Sequence, residues 1–264
     1  MPKTVAYFPL QCAQNSGPVI NGVINSLTHA GFQIVPDSYD ADIAIIWSVL
    51  WNGRMLGNRE VYRHYRNTGR TVICVEVGAL HRGTTWKLAL NHISANGFYG
   101  HQQNLDYDRP KKLGIVLQTK TNTYNKILVA GQHKQSLQLE GVDQESWYAQ
   151  KIQEVAAGRE VVVRSHPRCA LDSGKFTNVS WEQPKKLINT YDNFDIHWNF
   201  DLVINYNSGP GIQAVIAGVP VVVDSSSLAY NVVDREKWLV EICHTEYTVE
   251  EINQGNWIHR LGLV

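Results

Sequence analysis

The first part of the chain alternates continuous apolar runs with segments whose apolar residues recur at helical spacing. The runs at 42–51 (DIAIIWSVLW) and 71–80 (TVICVEVGAL) have few polar interruptions, which is typical of strands covered on both faces. Segments 17–31 and 58–69 have helical periodicity and each ends at a glycine. This order predicts a small parallel sheet with helices on its faces.

A second series of the same kind follows a break at 106–114, where DYDRPKKLG interrupts the pattern. Apolar strands are predicted in the segments 126–132, 160–168, 201–209 and 219–227, and helices in the segments 144–158 and 211–218. Near the C-terminus, Thr248 and Glu251 have the spacing of a helix capping box. We therefore predict an α/β fold of two Rossmann-like domains facing a central cleft, with residues 1–110 in one and 111–264 in the other.

Polar residues follow several of the predicted strands, and ligands of open parallel sheets bind beyond the carboxyl ends of the strands. The most distinctive stretch is NYNSGPGIQAVIAGVPVVVDSSS (205–227), in which Ser208, Gly209 and Gly211 lie where a strand meets a helix. The first amides of a helix lack internal partners and favour an anion. An ordinary strand-to-helix turn is the alternative, and the Walker A sequence is absent.

Charge and composition narrow the function classes. The 264 residues have zero formal net charge, so overall charge does not indicate nucleic-acid binding, yet the segment 54–90 carries seven basic and two acidic residues. That segment is either an anion-facing surface or a solvated helix face. The four cysteines are isolated and no apolar run reaches the roughly 18 residues of a membrane span. We expect a cytoplasmic protein without a membrane partner.

The C-terminal series resembles the donor-binding half of GT-B glycosyltransferases. The resemblance lies in the order of a strand, N-S-G-P-G, a short helix, G-V-P and a strand, and the HP dipeptide in VVVRSHPR resembles capsule-type sugar transferases. It implies a UDP-sugar co-substrate, no tightly bound cofactor and no required metal. Gln213 replaces the acidic residue that holds the ribose in that family. The implied donor-binding residues are Gln132, Arg164, His166, Asn207, Ser208, Gly209, Gly211, Gln213, Ser225 and Ser226.

The N-terminal series resembles phage DNA glucosyltransferases, in which a strand ends in an acidic catalytic base before a basic, Trp-containing loop. The matching residue is Glu76, and His81 is a second candidate base. A structural carboxylate bound to Arg70 or Arg82 is the alternative for Glu76. The resemblance implies contacts with double-stranded DNA, with the target base flipped out of the stack. The implied contact residues are Asn15, Ser16, Arg54, Arg82, Trp86 and Lys87.

These features together predict an inverting glycosyltransferase with a carboxylate general base. It would move glucose or a pentose such as arabinose from a UDP-sugar to the hydroxyl of a modified pyrimidine, such as hydroxymethylcytosine, in phage DNA. If the protein is phage-encoded, it would act in the host cytoplasm. Two alternatives stay open: a GT-B transferase that acts on a saccharide or glycan, and a non-catalytic protein that binds nucleotide sugars.

Overall fold

The computed structural model describes residues 2–101, 103–189, 191, 193 and 195–264. Its strands are β1 (Thr4–Tyr7), β2 (Gln33–Pro36), β3 (Ile43–Trp47), β4 (Thr71–Val77), β5 (Thr85–Leu90), β6 (Lys126–Ala130), β7 (Glu160–Arg164), β8 (Ser180–Glu182), β9 (Leu202–Ile204), β10 (Val221–Val222) and β11 (Glu246–Thr248). Its α-helices are α1 (Gly17–His29), α2 (Asn58–Asn67), α3 (Arg109–Lys112), α4 (Gln144–Val155), α5 (Gly209–Ile216), α6 (Arg235–Cys243), α7 (Val249–Gln254) and α8 (Asn256–Arg260). Short 3-10 helices lie in four of the connections that the structure describes.

The chain forms two compact units, and the first comprises Met1–Asp106 together with Cys243–Val264. Its sheet has the strand order β11-β5-β4-β3-β1-β2. Strands β1 to β4 pair in parallel, whereas β5 runs antiparallel to β4, and β11 runs antiparallel to β5. Every residue of β3 is buried, as its continuous apolar sequence predicts for a strand covered on both faces.

The C-terminal segment belongs to the first unit because its apolar side chains pack there. Strand β11 adds to the sheet through β5, and α7 packs against α1. Trp257 is fully buried, and its Nε1–H donates to Ser26 Oγ at 3.2 Å and to the Ile252 carbonyl at 3.1 Å. The predicted capping box of Thr248 and Glu251 is present at the start of α7. The expected boundary put the whole segment 111–264 in one domain. That boundary is corrected here, because Cys243–Val264 belongs to the first unit.

The second unit comprises Tyr107–Ile242 and contains a sheet of order β10-β9-β6-β7-β8 in which all pairings are parallel. Alternate residues of β6 enter different cores, with Ile127 and Val129 in one and Leu128 and Ala130 in the other. The first core also receives Tyr148 of α4, and the second receives Ala214 and Ala217 from α5 and its C-cap. Both faces of this sheet are therefore covered, which explains the apolar character of its strands.

Two segments differ from the sequence prediction in a way that affects function. Residues 85–87, expected to be part of a basic loop with a tryptophan, belong to strand β5 inside the first sheet. The predicted strand at 219–227 is reduced to β10 (Val221–Val222), and its serines lie in a turn. In that turn the Asp224 carboxylate accepts from Ser226 N–H at 2.9 Å, and this bond bends the chain away from the sheet.

Candidate functional site

Glu76 lies near the carboxyl end of β4, where its carboxylate is held by the turn after β3. Ser48 adopts the left-handed conformation with φ of 65°, at a cost of roughly 1–2 kcal/mol. This conformation lets Ser48 Oγ donate to Glu76 Oε2 at 2.7 Å, while Val49 N–H donates to the same oxygen at 3.1 Å. Val77 N–H donates to Oε1 at 2.9 Å. The carboxylate is thus oriented by neutral donors and half-buried.

Arg70 has its own set of partners. Its Nη1 donates to the carbonyls of Tyr39 at 2.7 Å and Ala41 at 2.8 Å. Its guanidinium carbon also lies 4.4 Å from the centroid of the Tyr65 ring, a cation–π distance. The hydrogen bonds around Glu76 come instead from Ser48 and its neighbours, so the geometry favours the reading of Glu76 as an oriented carboxylate over that of an ion-pair partner of Arg70.

A row of charged residues crosses the first sheet beside Glu76. Lys87 of β5 is in direct register with Glu76 of β4 on one side and with Glu246 of β11 on the other. Directly opposed residues of antiparallel strands project from the same face of the sheet. Lys87 is only 6% exposed and Glu246 is completely buried. Burial lowers the pKa of Lys87, and the charges of Glu246 and Glu76 oppose that shift.

Glu246 was not predicted from the sequence, and it fixes the turn that connects β4 to β5. Its carboxylate accepts from Ala79 N–H at 2.6 Å, Leu80 N–H at 3.1 Å and Thr85 Oγ1 at 2.7 Å. A Cβ on Gly78 would overlap this carboxylate, so glycine is required there. The sequence gives no signal for this contact, because Glu246 comes from the distant C-terminal segment.

The predicted DNA contacts divide into buried and exposed residues. Trp86 is 3% exposed and packs against Trp47 with ring centroids 5.5 Å apart. Lys87 is buried in the charged row. The burial of both in β5 corrects the expectation that they stack on bases or contact phosphates. Ser16 is also buried, and its hydroxyl donates to the Ala13 carbonyl at 2.6 Å.

Other predicted residues of the first unit are accessible. Asn15 and Arg54 are exposed, and His81 and Arg82 are half-buried in the turn between β4 and β5. The His81 backbone carbonyl accepts from Thr85 N–H at 2.9 Å, which keeps this turn compact. His81 and Arg82 therefore share the turn that Glu246 fixes.

In the second unit, Asn205 organises the turn into α5. Its side-chain amide donates to the Ala130 carbonyl at 2.9 Å and to Ser208 Oγ at 2.8 Å, while its Oδ1 accepts from Ser208 N–H at 2.9 Å. A Cβ on Gly211 would lie 3.2 Å from Asn205 Oδ1 and 3.3 Å from Val223. Internal packing, rather than the approach of a ligand, explains this glycine. Gly209 is half-buried in the first turn of the helix.

Asn207 is the centre of a second network of neutral groups. Its backbone contacts two glutamines: Asn207 N–H donates to Gln132 Oε1 at 3.4 Å, and Gln138 Nε2 donates to the Asn207 carbonyl at 3.1 Å. Its Nδ2 donates to Ser226 Oγ at 2.8 Å. Its Oδ1 is buried and has no hydrogen-bond partner among the residues that the structure describes. A buried acceptor of this kind is suited to a ligand hydroxyl or N–H group.

The serines after β10 contribute differently from what was expected. The Ser226 hydroxyl donates to Asp224 at 2.6 Å, so its hydrogen is not available for a phosphate. Ser225 is exposed, and Gln213 is half-buried on α5. Ser208 Oγ accepts from Asn205, which leaves its own hydrogen for another acceptor.

Arg164 occupies a different environment from that predicted. It is 3% exposed at the end of β7, where its guanidinium is bound by the carboxylates of Glu182 and Asp195. Burial tends to raise the pKa of Asp195, but a backbone hydrogen bond from Lys185 and the charge of Arg164 outweigh it and lower the pKa. The charge of Arg164 is therefore already compensated, and this corrects its placement beside a donor phosphate.

Two histidines meet at the carboxyl ends of β6 and β7. The rings of His133 and His166 are 5.3 Å apart in an edge-to-face arrangement. Burial lowers the pKa of His133, and the nearby charges of Arg168 and Lys134 add to the effect. His166 Nδ1 accepts from Arg168 N–H at 3.1 Å. His133 was missed as a site residue, although it follows the predicted strand end at Gln132.

An open cavity of about 590 Å³ lies next to His166. Its lining comes from the segment after β7, from β8 and from the residues that follow β8, namely residues 165–171, Ser173, Trp181, Gln183 and Pro184. Among the described residues, no group of three or more His, Cys, Asp or Glu side chains could hold a metal ion. Within the same residues, no helix is both long and apolar enough to cross a membrane.

No protein-family model matches the sequence, and no curated protein matches it significantly. Solved structures do resemble the chain. A KpsC beta Kdo 2,4 transferase from Thermosulfurimonas dismutans matches with a TM-score of 0.54 and 12% identity over 93% of this chain and 90% of that one. A KpsC beta Kdo 2,7 transferase from the same organism matches with a TM-score of 0.54 and 13% identity over 99% of both chains. At such identities the likeness establishes the fold, a GT-B-like α/β architecture of two Rossmann-type units.

Proposed function

We propose that the protein is a glycosyltransferase that moves a sugar from a nucleotide sugar to a hydroxyl group. The observation that carries the proposal is the polar edge of the second unit. There the N-terminus of α5, the hydroxyl of Ser208 and the buried Oδ1 of Asn207, which none of the described residues contacts by a hydrogen bond, lie within one short turn. Helix amides and a hydroxyl are suited to phosphate oxygens, and a buried amide oxygen is suited to a ribose or sugar hydroxyl.

Glu76 is proposed as the general base. It would take the proton of the acceptor hydroxyl while that oxygen bonds to the anomeric carbon and the bond to the nucleotide phosphate oxygen breaks. The hydrogen bonds from Ser48 and Val49 support this role because they fix one carboxylate oxygen in place. Ser48 has a conformation that is costly for a serine, and such conformations cluster at functional sites.

A saccharide or glycan is the acceptor class that we favour. The two similar structures are Kdo transferases, and the HP dipeptide of His166 lies beside the second histidine, His133. The burial of Trp86 and Lys87 removes two of the residues on which the DNA hypothesis depended.

A modified pyrimidine in DNA is kept as a second candidate acceptor because one observation favours it. Arg54, Arg63 and Arg66 are exposed at or near α2. If they bind phosphates, the protein should bind duplex DNA at low salt, and Arg63→Ala should reduce the salt slope by about one unit. An absence of DNA binding by the wild-type protein in an electrophoretic mobility assay at low salt would eliminate this acceptor.

The decisive experiment measures transfer by mass spectrometry. The protein is incubated with UDP-, GDP- and CMP-activated sugars and with a panel of oligosaccharides or hydroxymethylcytosine DNA, and the products are examined for a mass gain. Glu76→Gln should lower kcat/KM by about 10²- to 10⁴-fold. The matched control is Glu60→Gln on the exposed face of α2, which should leave the rate unchanged. Full activity of Glu76→Gln would exclude it as the base.

Donor binding is tested separately by calorimetric titration with the nucleotide of the active donor. Asn207→Ala should weaken binding by about tenfold, as expected when a hydrogen bond to a ligand is lost. Asn199→Ala, an exposed asparagine of the same unit, is the control. If both variants bind equally well, Asn207 is not part of the donor site. If the wild-type protein binds a nucleotide sugar and transfers nothing to any acceptor, the non-catalytic alternative is supported.

A further inference from the structure

We propose that the cavity beside His166 binds a saccharide ring, which stacks on the indole of Trp181. The cavity has a volume of about 590 Å³, within the usual range for sites that hold small ligands. All of its lining residues belong to the second unit. Saccharide binding can be measured without any catalysis, but the interpretation of this ring as part of the acceptor rests on the proposed function.

Trp181 forms a fixed apolar platform at the wall of the cavity. It lies in β8, the edge strand of the second sheet, and packs against the core that contains Phe176. The Trp181 and Phe176 rings meet edge to face, with centroids 5.7 Å apart. Pro167 and Pro184 line the same cavity and add rigid apolar surface. The C–H groups on one face of a sugar ring carry partial positive charge, so they pack favourably on the negative face of an aromatic ring.

Neutral polar groups accompany this platform. Ser165 Oγ accepts from Leu171 N–H at 3.0 Å, which leaves the hydroxyl hydrogen for another acceptor. His166 Nδ1 accepts from the backbone N–H two residues further on at 3.1 Å, so the neutral imidazole carries its proton on Nε2. Ser173 and Gln183 are exposed and add a hydroxyl and an amide to the lining. Sugar hydroxyls both donate and accept hydrogen bonds, and this set of side chains offers both kinds of partner.

The distribution of charge favours a sugar ring over a phosphate. Among the described residues that line the cavity, Arg168 is the only arginine or lysine, and none is acidic. The nearby Arg164 is buried, and its guanidinium is already bound by Glu182 and Asp195. Phosphate sites usually combine several charge-assisted hydrogen bonds, whereas a sugar ring can be held by stacking and by neutral donors and acceptors. We therefore take an uncharged saccharide unit as the occupant.

The test follows the indole N–H signals of protein labelled with ¹⁵N-tryptophan while neutral oligosaccharides of glucose, galactose or N-acetylglucosamine are added. The Trp181 signal is assigned by its loss in Trp181→Phe. At least one oligosaccharide should shift this signal. The affinities of the variants for it are then compared by saturation-transfer difference NMR of the sugar protons. Trp181→Leu should weaken binding by about tenfold, whereas Trp181→Phe keeps an aromatic face and should stay within about threefold of wild type.

Ala170→Arg is an independent test that leaves the platform intact. Ala170 is exposed and lines the cavity, so a long side chain there would occupy part of the space without disturbing a buried position. Binding of the same oligosaccharide should fall by about tenfold. Val116→Arg adds the same side chain at an exposed position of the same unit, outside the described lining, and should bind like wild type.

Three results would overturn the inference. The first is that no oligosaccharide shifts the Trp181 signal, and the second is that Trp181→Leu and Ala170→Arg both bind as tightly as wild type. The third is that CMP or UDP shifts the Trp181 signal at lower concentration than any oligosaccharide, which would assign the cavity to a nucleotide. If one variant does not fold, the other still decides.

The outcomes separate this inference from the proposed function. A wild-type protein that binds an oligosaccharide at Trp181 but transfers no sugar would refute the proposed function and support the binding site. In an active enzyme, Trp181→Leu should raise KM for the oligosaccharide acceptor by about tenfold and leave kcat nearly unchanged, because the stacked ring is bound equally in the ground state and the transition state. An unchanged KM would show that the bound saccharide is not part of the acceptor.

Discussion

Lys87 of the first unit and Arg164 of the second are both buried basic side chains with two acidic neighbours. Arg164 holds its partners, Glu182 and Asp195, by direct ion pairs, and the side chains of these two acids are each about a quarter exposed. Lys87 instead lies in register between strand residues, and its neighbour Glu246 is completely buried. The same pairing of charges thus occurs in two different dielectric environments.

This difference in surroundings determines whether each of the two cations keeps its charge at every accessible pH. A guanidinium stays protonated throughout the accessible pH range and presents a rigid fork of donors, so Arg164 serves as a permanent structural cross-link. An ammonium loses its proton when burial lowers its pKa far enough, so the charge of Lys87 depends on its two acids. We interpret Arg164 as structural and Lys87 as electrostatically coupled to Glu76.

The largest expected effect on stability is that of Arg164→Met. This change leaves two carboxylates close together without their shared cation, and we expect a loss of about 3 kcal/mol in the free energy of unfolding. Urea denaturation at pH 7 measures it. Arg168→Met removes an exposed arginine of the following loop and should change the stability little. Equal effects of the two substitutions would refute the cross-link.

Gly78→Ala should have the next largest effect. The new methyl group would overlap the Glu246 carboxylate and the Thr85 carbonyl, and the backbone carbonyl cannot move away easily. We expect a loss of about 2 kcal/mol, within the usual range for overpacking, as measured by thermal denaturation. Gly17→Ala, with open space around its Cβ position, is the matched control. A neutral Gly78→Ala would show that Glu246 is not held against this turn.

A smaller effect is expected in the pH dependence of stability. The pKa of Lys87 is lowered in the folded protein, whereas in the unfolded chain it is about 10.4. As the pH rises through the folded value, the unfolded chain binds a proton that the folded protein lacks, so stability increases. Urea midpoints between pH 7 and pH 10 should therefore rise for wild type relative to Lys87→Arg. If the urea midpoints of the wild type and of Lys87→Arg change with pH in the same way, the pKa of Lys87 is not lowered in the folded protein.

The smallest effect is expected for an exposed pair. Lys126 and Glu160 form an ion pair at 3.0 Å, with both side chains nearly half exposed. Such pairs contribute little because water and salt screen them. Lys126→Met should leave the urea midpoint within experimental error at 0.15 M salt. A loss comparable to that of Arg164→Met would show that burial is not what distinguishes these ion pairs.

Much of the fold follows from local sequence patterns. The continuous apolar runs predicted β3, β4 and β6, and the spacing of Thr248 and Glu251 predicted the start of α7. These features depend on nearby residues only. The C-terminal segment was misplaced because its partner, β5, was itself taken for a loop, and a Thr-Trp-Lys sequence contains no clear apolar alternation.

The candidate site was less predictable because it depends on long-range pairing. The sequence indicated Glu76 as a strand-end carboxylate, but the donors Ser48 and Val49 come from another strand end. Arg164 was predicted to contact phosphate because its acids, Glu182 and Asp195, lie in segments whose positions the sequence does not reveal. Charged residues near a strand end indicate a polar edge, yet only the register shows which charges neutralise each other.

The return of the segment Cys243–Val264 to the first unit has a consequence for how the protein is made. The second unit is one uninterrupted stretch, Tyr107–Ile242, so it can fold while the ribosome is still adding residues to the chain. The sheet of the first unit is incomplete until β11 has been synthesised, because β11 pairs with the edge of β5 and contains Glu246. During that interval β5 is an exposed edge strand, the kind of surface that invites pairing with other chains. Synthesis therefore completes the Glu76 region only after the whole second unit has been made, although Glu76 itself is translated early.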